Sequence, residues 1–203
     1  MSLAGKRIFI TGGSRGIGLA IALRAAKDGA SIAIAAKTAD PNPKLPGTIF
    51  SAAEEIRAAG GTALPIQCDI RDEEQIDSAI RQAAQEFGGI DILINNAGVY
   101  PDSQFGQCDA QAWLSAFQVN CLSTYYLAEA FLPHLRRAGT AKIIAMTSKM
   151  GSIDDNGSGG EYLYRTSKTA LNMLVKSLAI DLRAQHIWVA ALHPGWVRTE
   201  KNG

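Results

Sequence analysis

Short apolar runs alternate along the chain with longer stretches whose apolar residues recur at helical spacing. The runs Arg7–Thr11, Ser31–Lys37, Thr62–Asp69, Asp91–Asn95, Ala141–Ser148 and Ile187–His193 consist mostly of Ile, Val, Leu and Ala at successive positions. With no clean inside–outside alternation, each reads as a parallel strand covered on both faces. Between them lie helix patterns. Gly16–Asp28 carries Leu19, Ile21, Ala22, Leu23 and Ala26 and stops at Gly29, and Ile49–Ala59 stops at Gly60–Gly61. Glu73–Phe87 opens on acids and stops at Gly88–Gly89, which suits the helix dipole and the glycine that commonly ends a helix. Two longer helices are expected over Ala110–Arg137, bent near Pro133, and over Tyr164–Gln185. Strict strand–helix alternation implies parallel pairing with helices on both faces. The expectation is a doubly wound α/β fold with a six-stranded parallel sheet, one domain over residues 1–203.

Two segments fall outside this plan. Thr38–Thr48 holds three prolines and reads as a surface loop after the second strand. Ser152–Glu161, rich in glycine and acids, reads as a loop between the fifth strand and the last helix.

Composition narrows the functional classes. Lys and Arg total 20 against 19 acids, so charge points neither to nucleic acid nor to disorder. Every apolar stretch is broken before the ~18 residues of a membrane span, so no membrane partner is expected. The chain enters a strand pattern directly, so no signal peptide is expected. Cys68, Cys108 and Cys121 form no CxxC pair, which favours a reduced, cytoplasmic setting. No HExxH or cysteine–histidine cluster occurs, so no catalytic metal is expected. The 20 glycines are clustered, and the clusters carry the chemistry.

Thr11-Gly12-Gly13-Ser14-Arg15-Gly16-Ile17-Gly18 lies between the first strand and the first helix. A sharp turn, close approach to a pyrophosphate and uncovered N–H groups at a helix start all require small residues there. Asn95-Asn96-Ala97-Gly98 closes the fourth strand. Tyr164 and Lys168, four apart, share one face of a helix. A tyrosine at its ordinary pKa of about 10 is a poor acid or base at neutral pH; an adjacent lysine cation favours the phenolate and lowers that value. Together these motifs resemble the classical short-chain dehydrogenase/reductase family over essentially the whole length. The first hundred residues resemble its hydroxysteroid-dehydrogenase-like members. The second half, with TSKMGSIDDNGSGGEYLYRTSK and HPGWVRT, resembles C-factor and sniffer-type carbonyl reductases, a mixture that would fit an intermediate lineage or a chimera.

The resemblance implies a Rossmann fold and a catalytic set of Asn120, Ser148, Tyr164 and Lys168. Tyr164 would be the general acid, and Lys168 would also hold the nicotinamide ribose. Ser148 would orient the substrate oxygen, with Thr147 and Ser152 as competing hydroxyls. Tyr162 is not the equivalent, because Thr166 stands four residues after it. The Asn120 side chain would hold a proton-relaying water; the alternative is a helix asparagine satisfied by backbone. Cofactor contacts would fall on Gly12, Ser14, Arg15, Gly16, Ile17 and Gly18, then on Asp69 and Ile70 at the adenine, and on Asn96, Ala97 and Gly98. Tyr164, Lys168, Pro194, Gly195, Val197 and Thr199 would serve the nicotinamide end. Asp69 has the alternative of capping the helix that begins at Glu73.

The second strand ends Ala35-Ala36-Lys37-Thr38 with no acid before Asp40. A cation there accepts a 2′-phosphate, whereas an acid holds the 2′-hydroxyl. With Arg15 as a second cation, NADP(H) is expected over NAD(H), unless Asp40 or Lys44 controls the pocket. The implied activity is hydride transfer between NADP(H) and a small-molecule carbonyl or alcohol substrate. The alternatives are a dinucleotide-binding structural or regulatory module and, behind it, an epimerase or dehydratase. The Ser148–Tyr164 interval of sixteen residues is longer than the commonest family spacing. Family members continue beyond the Thr199 position with a substrate-covering helix and a last strand, here apparently missing, so the sixth strand is expected at an edge. Pairing through the two long helices would give a homodimer, or a homotetramer by a further contact.

Overall fold

The computed structural model describes residues 2–43 and 46–197. Lys44 and Thr199, both named above, lie outside the described residues. In chain order the elements are β1 (Arg7–Thr11), α1 (Gly16–Ala26), β2 (Ser31–Ala36), α2 (Ile49–Ala58), β3 (Thr62–Gln67), α3 (Glu73–Phe87) and β4 (Ile92–Asn95). There follow α4 (Ala110–Phe117), α5 (Ser123–Arg137), β5 (Ala141–Met146), α6 (Tyr162–Asp181) and β6 (Ile187–Leu192). Among the described residues the six strands form one parallel sheet in the order β3-β2-β1-β4-β5-β6. The order reverses between β1 and β4, and in such sheets the crevice at the carboxyl ends of the strands beside that reversal is where ligands bind.

Alternation within the strands divides the core. Phe9, Ala33, Leu93 and Ile143 face α3 and α5, whose Ile76, Ile80, Leu127 and Phe131 are buried against them. Ile8, Ile10, Ile32, Ile34 and Ile94 face α1 and α2, with Ala22, Ala26, Ala53 and Ile56 opposite. A third cluster joins Cys121 and Ala145 to Leu171 and Val175 of α6. β6 departs from the two-sided expectation: Trp188 is 69% and Leu192 49% exposed. It lies at the sheet edge, as expected, and its outward side chains meet solvent on one face.

The boundaries shift in ways that matter for function. β2, β3, β5 and β6 end one or two residues earlier than the apolar pattern places them. Lys37, Asp69, Ser148 and His193 therefore leave the ladder and stand on loops at the carboxyl edge of the sheet. The expected helix over Ala110–Arg137 is interrupted by a π-helical turn at Gln118–Leu122, whereas Pro133 sits inside an unbroken α5. α6 starts at Tyr162 and is followed by a short 3-10 turn at Arg183–Gln185.

Candidate active site

The glycine loop opens the site. Gly12 N–H donates to Ala35 O at 2.8 Å, which carries the chain off β1 toward β2. A Cβ on Gly12 would stand 2.9 Å from Ala97 Cα, so the loop and the Asn96–Gly98 segment approach too closely for a side chain. Thr11 binds the two segments. Its hydroxyl donates to Asn95 Oδ1 at 2.9 Å and accepts from Asn96 N and Ala97 N, each at 3.0 Å. Asn96 Nδ2 donates to the carbonyls of Thr11 (3.0 Å) and Gly12 (3.1 Å), and Asn95 Nδ2 reaches Ser123 Oγ and Thr124 Oγ1.

A cleft of about 400 Å³ lies over this floor. It brings together Gly12, Ser14, Arg15, Gly16, Ile17, Gly18, Lys37, Asp69, Ile70, Asn96, Ala97 and Gly98, the twelve expected cofactor contacts of the first hundred residues. The N-terminus of α1 faces it, with no capping side chain at Arg15 and free space around Gly16. Uncovered N–H groups and a positive dipole end suit a pyrophosphate. Arg71, Cys68 and Val99 also line the cleft, beyond the residues that the sequence motifs single out. Asp69 is no helix cap: Asp72 caps α3, and Asp69 pairs with Arg71 at 2.6 Å. The Arg71 hydrogen bond holds its carboxyl below the usual carboxylate range, against the upward pull of burial.

Of the four residues expected to be catalytic, Asn120 and Lys168 lie beside Gly98. Ser148 caps a short turn after β5, accepting from Met150 N at 3.2 Å, and stands close enough to the Tyr164 phenol to favour its ionised form. The competing hydroxyls are engaged elsewhere: Thr147 donates to Asn172 Oδ1 at 2.6 Å, and Ser152 accepts from Asp155 N. One turn after Tyr164, the buried Lys168 donates to Met146 O at 2.8 Å, its ammonium 5.7 Å from the Tyr164 ring centre. Burial lowers the Lys168 ammonium to about 8. The expected lowering of the tyrosine is not seen here. Burial raises the Tyr164 phenol, with Ser148 pulling partly the other way, and the Lys168 ammonium is turned to the Met146 carbonyl.

Asn120, on the π-helical turn, accepts from Val99 N and donates to Val99 O, both at 2.8 Å, and donates to Ser167 Oγ at 3.0 Å. Both amide hydrogens are thereby spent and one lone pair of Oδ1 remains. The side chain is tied to the Val99 backbone and so fixes the Gly98–Val99 segment. Tyr100, beyond the sequence motifs, packs its ring 4.5 Å from that of Tyr164. Pro194 and Gly195 lie in an exposed segment after β6, with Val197 half-buried, and none of them lines the cleft.

A short chain dehydrogenase family model matches residues 6–203. The chain belongs to the short-chain dehydrogenase family. Hydroxysteroid dehydrogenase-like protein 2 of Bos taurus is 45% identical over 192 residues, and that of Homo sapiens 44% over 192, each covering 95% of this chain. The similarity to that branch thus runs through both halves. This chain spans a little under half of those relatives, 46% of their length. Among solved structures, a Xanthomonas campestris protein is 42% identical with a TM-score of 0.89, covering 95% of this chain and 72% of its own. A dehydrogenase/reductase of Sinorhizobium meliloti is 37% identical with a TM-score of 0.87, covering 99% and 76%. The short-chain dehydrogenases are NAD(P)-using oxidoreductases with this Rossmann-type sheet. No described helix is long and apolar enough to cross a membrane.

Proposed function

We propose that this chain is an NADP(H)-dependent oxidoreductase acting on a carbonyl or alcohol group, with Tyr164 as the proton-transferring residue. The observation that carries the reading is buried Lys168 one turn after Tyr164, its ammonium 5.7 Å from the phenol ring centre, beside a cleft lined by the glycine loop and the α1 N-terminus. A bound nicotinamide dinucleotide would supply or accept the hydride. The glycine loop and the α1 N-terminus would bind its pyrophosphate, and Arg15 and Lys37 favour a 2′-phosphate over a bare ribose.

Ser148 would donate to the substrate oxygen and point it at Tyr164. The raised phenol is protonated at neutral pH, so Tyr164 is poised to give its proton to an oxygen that gains charge during reduction. In the opposite direction the phenolate must take the alcohol proton, which higher pH favours. Lys168 would hold a ribose hydroxyl and steady the phenolate by its charge, and Asn120 holds the Val99 backbone at the edge of the site. A homodimer in a reduced, cytoplasmic setting goes with this reading. Exposed Leu114, Tyr125, Met173 and Ile180 on α4, α5 and α6 support the first, and three free thiols the second.

The test is NADPH oxidation by the purified chain with a panel of aldehydes and ketones, beside Tyr164→Phe. Loss of the general acid should lower turnover by about 10²–10⁴-fold while NADPH affinity stays within about twofold. Unchanged turnover in the variant would refute the assignment. NADPH binding without turnover of any carbonyl by the wild type would favour the binding module.

A further inference from the structure

Asp69 holds two cations unequally. Arg71 Nε lies 3.0 and 3.2 Å from its two oxygens, Arg71 Nη2 lies 2.6 Å from Oδ2, and the Arg71 backbone N–H donates to Oδ1 at 3.1 Å. Lys37 Nζ stands 3.8 Å from the same Oδ2, beyond hydrogen-bond length. All three side chains line the cleft. Arg15, the remaining cation there, donates to Gly47 O at 2.8 Å. The backbone carbonyl of Arg71 is held by Gln118 Nε2 at 3.3 Å, so the chain beneath the pair is tied down independently of the side chain.

A carboxylate within reach of Lys37 competes with any phosphate that Lys37 would bind. It offers about four lone-pair sites, and a guanidinium that meets both oxygens satisfies it more completely than an ammonium can. Resting on the NADP(H) reading above, we propose that Arg71 is a positioning residue for cofactor selectivity: by clamping Asp69 it leaves Lys37 free for the 2′-phosphate. Without Arg71 the carboxylate draws Lys37 toward itself, and the phosphate loses its cation. The pyrophosphate contacts are untouched, and any change at the adenine contact of Asp69 meets both dinucleotides alike, so the effect on selectivity falls on NADPH.

Fluorescence titrations with NADPH and NADH on the wild type, Arg71→Ala, Asp69→Asn and the double variant test this. The wild type should prefer NADPH; Arg71→Ala should lose about tenfold of that preference, the scale of one hydrogen bond to a charged group, with NADH affinity within about twofold. Intact NADH binding also shows that the variant folds, and Arg71→Gln serves if the alanine variant does not. Asp69 faces both dinucleotides alike, so the readout is the ratio of affinities. In the double variant no charge is left to capture Lys37, and the ratio should return to within about threefold of the wild type. Wild-type selectivity in Arg71→Ala would overturn the inference while leaving the NADP(H) reading intact. A double variant as unselective as Arg71→Ala would overturn it too, because Arg71 would then meet the phosphate directly. A wild type that binds both dinucleotides equally would overturn the NADP(H) reading and this inference together.

Discussion

At the amino ends of β1 and β4, Arg7 meets Asp91 through Nη2 at 2.7 Å and Nε at 3.0 Å, while its backbone N–H donates to the same carboxylate at 2.8 Å. Arg7 Nη1 caps the arrangement on Gly88 O at 2.8 Å. At the carboxyl end of the sheet, the buried Lys168 has a carbonyl as its hydrogen-bond acceptor and, among the described residues, no ion pair. One end thus pairs its buried charge, and the other leaves a buried cation without a counter-ion. Arg7 raises its own basicity through Asp91, whereas Lys168 loses basicity to burial. The contrast fits the proposed function: the Arg7–Asp91 pair joins strands, and the unpaired Lys168 would hold charge for a reacting group.

The largest effect expected from breaking this contrast is at the paired end. Asp91→Ala would strand a half-buried guanidinium and uncover the backbone N–H of Arg7, at a cost of about 3 kcal/mol in unfolding free energy. NADPH affinity of the folded fraction should stay within about twofold, since the pair lies at the far end of the sheet. Urea unfolding and a fluorescence titration measure the two. A loss of affinity without a loss of stability would show that the ends are not separable in this way.

The unpaired end should respond to pH instead. The Lys168 ammonium falls from 10.5 in the free side chain to about 8 in the folded chain. Below about 8 both folded and unfolded chains carry the proton, and the burial cost is present in full. Between about 8 and 10.5 the unfolded chain binds a proton that the folded chain has released, so the wild type gains stability as pH rises. The gain relative to Lys168→Met should be on the order of 2 kcal/mol between pH 7 and pH 9.5, read from paired urea unfolding curves. Curves that keep a constant separation across that range would contradict the buried, unpaired cation.

Most of the sheet and much of the site can be read in the residues themselves, because local patterns carry them. Apolar runs mark the six strands, and the spacing of Gly12, Gly16 and Gly18 marks the loop. Tyr164 and Lys168 share a helix face by arithmetic alone. What depends on distant partners is not legible. Arg71 gains its place by folding back on Asp69 inside a cleft made by other loops, although its spacing of two from that acid was a usable signal. Tyr100 matters through its contact with Tyr164, and Thr11 through amides 84 to 86 residues away. The π-helical turn has no local signature, since Gln118–Leu122 reads as ordinary helix until Asn120 reaches across to Val99. The lowered pKa expected for Tyr164 was read from proximity in sequence, and burial reverses it.

The smallest effects sharpen the comparison within the carboxyl end itself. On Gly18 a Cβ would press into the Gly12 carbonyl and lie 2.5 Å from Asn96 Nδ2. Gly18→Ala must therefore push apart the loop and the Asn96 segment, with a stability loss of about 2 kcal/mol and weaker dinucleotide binding as its consequence. Gly16 is different: a Cβ there meets nothing within 4 Å, and only its φ of +54° disfavours a side chain. Gly16→Ala should cost no more than about 1 kcal/mol in folding. It should nonetheless weaken NADPH and NADH binding alike, by about tenfold or more, because the methyl stands where a pyrophosphate would reach the α1 N–H groups. Stability set against affinity for the two variants separates a glycine kept for packing from one kept for a ligand. Unimpaired binding in Gly16→Ala would mean that the open space above the helix start is not where the pyrophosphate lies.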